Sequence, residues 1–310
     1  MQVLQAKAYY TPEEIEARAG QYISASEVET LLQEDTDVYK PDGSILLKFR
    51  KRTTSSDSAM VAYKELSQTK NYFPGENNRG TATGKSRRSE KVSEKVIRKA
   101  GFQSNTVASP LPVRSGVVGY FDRYTRIPYC RQSAFNLRYP KEFRLCVPFI
   151  RAINNIFSSE CRDRYAAQLA VVKQTSPDFY IRDTVFTTVT VNKNWQTAIH
   201  VDAGDLKEGF GVMTAFSAGT YDGCYLVFPR YRIGVDMRTT DVLLADVHEY
   251  HGNTPFIGRS GQYNRISCVF YYRSNMRYCG TAQEELERAK NRKPGDPLYP
   301  EKLTYGERHA

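Results

Sequence analysis

Short apolar runs between residues 181 and 273 constrain the fold of this chain more than any other feature. They are rich in β-branched and aromatic residues, and Gly, Pro and Asp separate them. The runs are DTVFTTVTVN, QTAIHVD, GFGVMTAFSA, GCYLVFP, YRIGVDM, DVLLADV and RISCVFYYR. Many short strands with turn residues between them are typical of an antiparallel sandwich or barrel.

Helical patterns surround these strands. Residues 11–35 are predicted to be helical, because Thr11 and Glu14 have the spacing of a capping box. Residues 143–157 and 158–175 have helical periodicity and are expected to pack on the sheet, and residues 45–52 resemble a strand. The predicted divisions are 1–110, a helical and basic region that is partly flexible; 111–280, the β domain with supporting helices; and 281–310, a C-terminal helix and tail.

The net charge of +10 suits a polyanionic partner such as nucleic acid, although a basic solvated surface is the alternative. Residues 77–101 carry most of the local positive charge, either as a flexible loop or as a nucleic-acid-contacting segment with a short helix at 88–99. The candidate phosphate contacts are Arg50, Lys51, Arg52, Lys85, Arg87 and Arg88.

Nothing in the sequence indicates export or membrane insertion. No apolar run reaches the length of about 18 residues that a membrane span needs, and the N-terminus lacks a signal-peptide layout. We therefore expect a soluble intracellular protein, in the host cytoplasm if it is phage-encoded and in the nucleus if it is eukaryotic. The six cysteines form no CxxC pair and are expected to be free thiols, and no obligate protein partner is predicted.

The segment NWQTAIHVDAGD places His200 two residues before Asp202. On a strand these two side chains point the same way, so they can share one metal ion. His251, just beyond the strand DVLLADV, supplies a third ligand, with His248 as the rival that fits less well. Two histidines and one carboxylate on one face are typical of non-haem Fe(II) oxygenases, although a histidine hydrogen-bonded to an aspartate in the core is the structural alternative.

Arg265 opens the strand RISCVFYYR, fourteen residues after His251. A buried arginine needs an anionic partner, and a carboxylate of 2-oxoglutarate would supply one. Ser267 lies on the same face and can donate its hydroxyl to that carboxylate. We assign Asn192 to the co-substrate and Asn194 to the substrate, with a turn or sheet-edge role as the alternative for both.

The stretch from His200 to residue 272 resembles the catalytic core of the TET/JBP family of 2-oxoglutarate- and Fe(II)-dependent nucleic-acid 5-methylpyrimidine dioxygenases, and its compact phage and protist members in particular. The resemblance covers residues 180–275. It implies an α+β fold with a double-stranded β-helix (jelly-roll) core and N-terminal helical support. It also implies Fe(II), bound by His200, Asp202 and His251, with 2-oxoglutarate held by Arg265 and Ser267 and O₂ as co-substrate.

The same resemblance implies that Asp205, Tyr271 and Arg273 contact the base. Animal members carry Asn and His where this chain has Asp205 and Arg273. An ionised Asp205 accepts hydrogen bonds and Arg273 donates them, and both thymine and 5-methylcytosine can satisfy such a pair. Tyr271 either stacks on the base or belongs to the core.

The predicted function is therefore oxidation of the 5-methyl group of 5-methylcytosine or thymine in DNA, giving the 5-hydroxymethyl base and more highly oxidised forms if the reaction continues. A duplex substrate requires base flipping. Two alternatives stay open: a 2-oxoglutarate-dependent hydroxylase of a protein side chain or small molecule, and a catalytically inactive DNA-binding module.

Overall fold

The computed structural model describes residues 1–54, 57–67, 114–125, 127–258, 262–293, 295–300 and 302–309. In these ranges a large sheet packs against helices on one face and against a small sheet on the other. The strands are β1 (Gln2–Gln5), β2 (Thr30–Leu32), β3 (Thr36–Tyr39), β4 (Ile45–Arg50), β5 (Arg114–Phe121), β6 (Arg131–Gln132), β7 (Thr188–Lys193), β8 (Gly211–Gly219), β9 (Asp222–Gly223), β10 (Leu226–Phe228), β11 (Ile233–Val235), β12 (Val242–Ala245), β13 (Gly252–Asn253), β14 (Phe256–Ile257) and β15 (Tyr263–Tyr271).

The helices are α1 (Pro12–Glu16), α2 (Asp57–Ser67), α3 (Ala134–Arg138), α4 (Pro140–Glu160), α5 (Arg162–Val172), α6 (Ala282–Asn291) and α7 (Tyr305–Arg308). Short 3₁₀ turns occupy Ala25–Glu27, Pro177–Phe179, Pro229–Tyr231 and Ser274–Tyr278. Across the described ranges, every helix is too short or too polar to span a bilayer.

The large sheet has the strand order β1-β3-β4-β12-β8-β15-β7-β5-β6, and the small sheet has the order β13-β10-β11-β2. All pairings in the large sheet are antiparallel except that of β1 with β3. β15 lies near the centre, between β8 and β7, so it is well placed to carry functional side chains on a rigid support.

Two apolar layers hold the large sheet between its neighbours. On the helical side, α4 buries Phe149, Ile153 and Phe157 against the sheet, and their spacing of four residues puts them on one helix face. On the other side, Phe49 and Phe228 belong to the layer shared with the small sheet. β12 and β8, in the middle of the large sheet, contribute residues to both layers and are covered on both faces, as expected for a jelly roll, whereas the edge strand β1 is mostly exposed.

The predicted jelly roll with supporting helices is confirmed, and most of the predicted elements are present. β7, β8, β10, β11, β12 and β15 lie within or overlap the predicted apolar runs, and α4 and α5 match the predicted helices. Thr281 caps α6, and Thr11 and Glu14 form the predicted capping box of α1. Residues 77–101 and the proposed boundary at 110/111 lie outside the described residues.

The prediction of a helix across residues 11–35 is wrong after its first turns. α1 ends at Glu16, and Thr30–Leu32 forms β2, which pairs in parallel with β11. Leu32 is buried in the layer between the sheets, and this tertiary contact overrides the local helical pattern. The first fifty residues thus supply strands to both sheets, and the description of region 1–110 as helical is wrong for this part.

The prediction of free thiols is wrong for one pair of cysteines. Cys130 and Cys279 form a disulfide, with their Cα atoms 5.9 Å apart. The fold brings them together from positions 149 residues apart, a proximity that sequence spacing does not reveal. The other four cysteines are free and buried.

Candidate active site

A cavity of about 310 Å³ lies between the two sheets. Its lining includes residues of β7 and β15 on one side and residues from the segment 195–205 and β13 on the other. The volume falls at the lower end of the range typical of small-molecule sites. All the predicted metal, co-substrate and base-contacting residues except Asn194 line it.

His200, Asp202 and His251 meet in the middle of this cavity. Nε2 of His200 lies 3.7 Å from Oδ1 of Asp202, and Nε2 of His251 lies 3.7 Å from Oδ2 of the same residue. One ligand atom from each residue lies within 4.8 Å of the other two. Two ligands at right angles around an ion, each about 2.1 Å from it, would be about 3 Å apart, so the three side chains fit a metal after a small adjustment.

A backbone contact aligns the two histidines. The predicted strand QTAIHVD is not a regular strand, and instead His200 and His251 form an isolated antiparallel bridge. Each main-chain N–H donates to the carbonyl of the other residue over 2.9 Å. The two rings therefore lie side by side, with their centroids 4.5 Å apart.

Main-chain carbonyls fix which nitrogen of each ring faces the cavity. Nδ1 of His200 lies 2.8 Å from the carbonyl oxygen of Ala198, and Nδ1 of His251 lies 2.9 Å from that of Glu249. A carbonyl oxygen only accepts, so each Nδ1 carries the proton and each Nε2 keeps its lone pair for a metal. Burial, reinforced by neighbouring His200, lowers the pKa of His251 and so favours the neutral form that binds metal.

His248, the rival ligand, lies outside this group. Its Nδ1 is 3.5 Å from Asp246, and its Nε2 is 3.3 Å from the main-chain oxygen of Asp205. The hydrogen bond with Asp246 raises the pKa of His248. His248 therefore contacts the chain that carries Asp205 and does not join the metal ligands.

Arg265 lies at one end of the cavity and is only 4% exposed. No carboxylate of the described residues lies within ion-pairing distance of its guanidinium group. Ser267 and Asn192 face each other in the register of β15 and β7 beside it, and Oδ1 of Asn192 is buried without a hydrogen-bond partner in the described ranges. An uncompensated buried cation needs an anion, so this end fits a carboxylate such as that of 2-oxoglutarate.

The prediction that Asn194 contacts the substrate is not supported by its position. Its side-chain oxygen accepts the main-chain N–H of Arg265 over 2.8 Å, and its own main-chain N–H donates to the carbonyl of Arg265 over 2.8 Å. Asn194 has a positive φ of 49°, which asparagine tolerates better than most residues. It therefore holds Arg265 in place, in agreement with the alternative turn role.

Asp205, Tyr271 and Arg273 gather at the other end of the cavity. Asp205 forms an isolated backbone bridge with Arg273, and its main-chain oxygen accepts a hydrogen bond from Ser274 over 2.7 Å. The hydroxyl of Tyr271 lies 3.1 Å from Oγ1 of Thr190, so this tyrosine is both a cavity wall and part of the sheet.

The partner of Arg273 is not evident from the sequence. Nε of Arg273 donates to Oδ1 of buried Asp122 over 2.7 Å, and the guanidinium group lies 5.8 Å from the centre of the Phe121 ring. Burial lowers the pKa of Arg273, but the Asp122 carboxylate and the Tyr271 hydroxyl together outweigh that effect and the pKa is raised. Asp122 is 151 residues away in the chain, so no local pattern could have revealed the pair.

Two of the candidate phosphate contacts already have carboxylate partners. Arg50 is buried and pairs with Asp37 and Glu160, each at 2.7 Å. Lys51 lies 3.3 Å from Asp241. These ion pairs therefore link the end of β4 to the neighbouring strand β3 and to the start of β12, while Lys85, Arg87 and Arg88 lie outside the described residues.

The family model Tet_JBP, the oxygenase domain of the 2OGFeDO superfamily, matches residues 116–274. Thymine dioxygenase JBP1 of Trypanosoma brucei brucei is 35% identical over 208 residues, which are 65% of this chain and 24% of that protein. The bifunctional helicase and thymine dioxygenase JBP2 of Leishmania major is 29% identical over 222 residues, which are 71% of this chain and 19% of that protein. The matched stretch thus spans about a quarter or less of each relative.

The structure of NgTET1 in complex with 5mC DNA is similar in fold, with a TM-score of 0.55 at 13% identity. The similarity covers 84% of this chain and 86% of that one. The shared fold therefore extends beyond the strands that carry the metal ligands.

Proposed function

Because the chain belongs to the Tet_JBP family of the 2OGFeDO superfamily, we propose that it is a 2-oxoglutarate- and Fe(II)-dependent dioxygenase of DNA. It oxidises the 5-methyl group of thymine or 5-methylcytosine, in keeping with the names of its thymine dioxygenase relatives and with the 5mC DNA of the structural neighbour. The observation that carries the proposal is one cavity that holds both the His200, Asp202 and His251 group and Arg265, whose guanidinium has no carboxylate partner among the described residues.

The donor set fits Fe(II), because two neutral imidazoles and one carboxylate suit that ion and no thiolate joins them among the described residues. When bound, the iron and 2-oxoglutarate together with O₂ supply the oxidant that converts a methyl C–H bond to C–OH, with succinate and carbon dioxide as products. His200, Asp202 and His251 hold the ion from one side and leave the cavity side open. Arg265 and Ser267 hold the far carboxylate of the keto-acid.

At the other end, the protein orients the base. Asp205 accepts a hydrogen bond from a ring or amino N–H, Arg273 donates to a carbonyl oxygen, and Asp122 fixes the direction of Arg273. The cavity lies between two sheets, so a base in a duplex must leave the stack to enter it. The net charge of +10 favours association with the DNA backbone, and we place this activity inside the cell, where DNA is found.

Mass spectrometry of nucleosides tests the proposal. The full chain is incubated with Fe(II), 2-oxoglutarate and either 5-methylcytosine-containing or unmethylated DNA. We expect succinate together with 5-hydroxymethylcytosine or 5-hydroxymethyluracil, and neither product with the Asp202→Ala variant. Succinate that forms only with peptides or small molecules would transfer the activity to another substrate, and salt-sensitive DNA binding without any succinate would indicate an inactive binding module.

A further inference from the structure

Trp195, the single tryptophan of the chain, has a buried polar atom without a hydrogen-bond partner among the described residues. The residue lines the cavity and is only 3% exposed. Its indole N–H has no acceptor in the part of the chain that the structure describes. A buried tryptophan N–H usually has a hydrogen-bond partner, because an unsatisfied buried donor is destabilising.

The order of residues around Trp195 indicates the end of the cavity at which it lies. It directly follows Asn194, whose main chain and side chain both bond to the main chain of Arg265. The segment then passes through His200 and Asp202 and ends at Asp205, which bridges Arg273. Trp195 thus lies at the Arg265 end, on the far side of the metal ligands from the base contacts.

Three groups at this end share one chemical property, whereas the buried Oδ1 of Asn192 is an acceptor that, like the Trp195 N–H, has no partner among the described residues. The guanidinium of Arg265, the hydroxyl of Ser267 and the indole N–H of Trp195 are all hydrogen-bond donors. An ionised carboxylate has about four acceptor positions and can satisfy several donors together. A keto oxygen or a water molecule would leave the charge of Arg265 uncompensated.

We propose that the indole N–H of Trp195 donates a hydrogen bond to the distal carboxylate of 2-oxoglutarate, beside Arg265. Trp195 is then a co-substrate-binding residue that selects keto-acids with a second carboxylate. This inference rests on the proposed function, since it takes 2-oxoglutarate as the co-substrate.

The Trp195→Phe variant separates this role from packing, because phenylalanine keeps an aromatic ring and removes the N–H. Binding is measured by calorimetry without O₂, with Zn(II) in place of Fe(II). Two ligands are compared: 2-oxoglutarate and 2-oxovalerate, which has the same keto-acid head without the distal carboxylate. We expect Trp195→Phe to weaken 2-oxoglutarate binding about tenfold or more, as for a hydrogen bond to a charged group, and to leave 2-oxovalerate binding unchanged.

Tyr263 offers a matched control. Its hydroxyl is also buried without a hydrogen-bond partner in the described ranges, and the residue is 5% exposed, but it does not line the cavity. Tyr263→Phe therefore removes a comparable polar atom and should leave the affinity for both ligands unchanged. Equal weakening of both ligands by Trp195→Phe, or no weakening of either, would overturn the inference.

A measurement on the wild-type chain does not depend on how the variant folds. With one tryptophan, the ¹H–¹⁵N spectrum contains a single indole peak. We expect 2-oxoglutarate to shift this peak downfield and 2-oxovalerate to leave it in place. If 2-oxoglutarate binds and the chemical shift of the indole peak does not change, only the role of Trp195 is refuted. If the wild-type chain does not bind 2-oxoglutarate, the proposed function itself is refuted.

Discussion

Arg265 and Arg273 stand at opposite ends of one cavity and differ in how their charge is balanced. Arg265 is 4% exposed and has no carboxylate partner in the described ranges. The side chain of Arg273 is 27% exposed and lies 2.7 Å from Asp122. Arg265 is the third residue of β15 and Arg273 lies two residues after its end, so the difference comes from their neighbours rather than from the strand itself.

This difference indicates what each end can bind. A buried guanidinium without a counter-ion is stabilised by an anion, so the Arg265 end suits the dianionic keto-acid. The Asp122 carboxylate already neutralises Arg273, so that end can offer directed hydrogen bonds to a neutral base without attracting a free anion. The charge balance therefore favours the co-substrate at the Arg265 end and the base at the Arg273 end.

The largest expected effect concerns the metal ligands, because turnover requires the metal in addition to the co-substrate and the base. His251→Ala should abolish iron binding and lower product formation by more than about 100-fold, because even residues that only hydrogen-bond to a ligand contribute about 10- to 100-fold. His248→Ala is the matched control and should keep its iron, since His248 bonds to Asp246 and to the Asp205 carbonyl instead. Iron content and hydroxymethyl nucleosides are the measurements. If only the His248→Ala variant lost its iron, the third ligand would be His248 and not His251.

The next effect separates the two arginines directly. Arg265→Gln should raise the KM for 2-oxoglutarate by at least about 30-fold, because breaking a buried charge pair costs about 2–5 kcal/mol. Arg273→Gln should leave that KM unchanged and raise the KM for DNA. Steady-state succinate release, with each substrate varied in turn, checks both outcomes. Should both variants weaken the same substrate, the division of the cavity into two ends would be incorrect.

The sequence predicted those parts of the site that depend on strand geometry. Arg265 and Ser267 share a face because of the two-residue repeat of β15. His200 and Asp202 are also two residues apart and line the cavity together, although their segment is not a regular strand. The choice of His251 over His248 also follows from the turn residues around it. Each of these inferences needs only neighbouring residues and the local conformation.

The parts that failed depend on contacts between distant segments. Asp122 meets Arg273 across 151 residues, and Cys130 meets Cys279 across 149. β2 exists because it pairs with β11, although its own residues carry a helical pattern. Only the folded structure shows that the Trp195 N–H has no acceptor among the described residues. Local periodicity contains none of this information.

Removing the Asp122 carboxylate should leave Arg273, like Arg265, without a carboxylate partner among the described residues. In Asp122→Asn the guanidinium loses its carboxylate, so we expect kcat/KM for DNA to fall about tenfold, as for the loss of one charge-assisted hydrogen bond. Sulfate should also become a competitive inhibitor against DNA, because a free cation now faces the cavity. Inhibition kinetics with sodium sulfate, at constant ionic strength, measure this. If the Asp122→Asn variant is neither slower nor more sensitive to sulfate, charge balance does not explain the difference between the two ends of the cavity.

The smallest expected effect comes from the backbone between the two ends. A Cβ atom on Gly252 would lie 3.0 Å from the main-chain carbon and oxygen of Ala198, and that oxygen also accepts the Nδ1 proton of His200. Gly252→Ala should therefore push the two histidine-bearing segments apart and lower the Tm by about 2–6 °C, consistent with an overpacking cost of about 1–3 kcal/mol. Gly204→Ala is the control, because a Cβ there meets nothing within 4 Å. Because His200 and His251 would hold a metal that both substrates need, Gly252→Ala should weaken turnover without changing the ratio of the two KM values. A change confined to the KM for DNA would instead show that the bridge between His200 and His251 supports only the base-binding end.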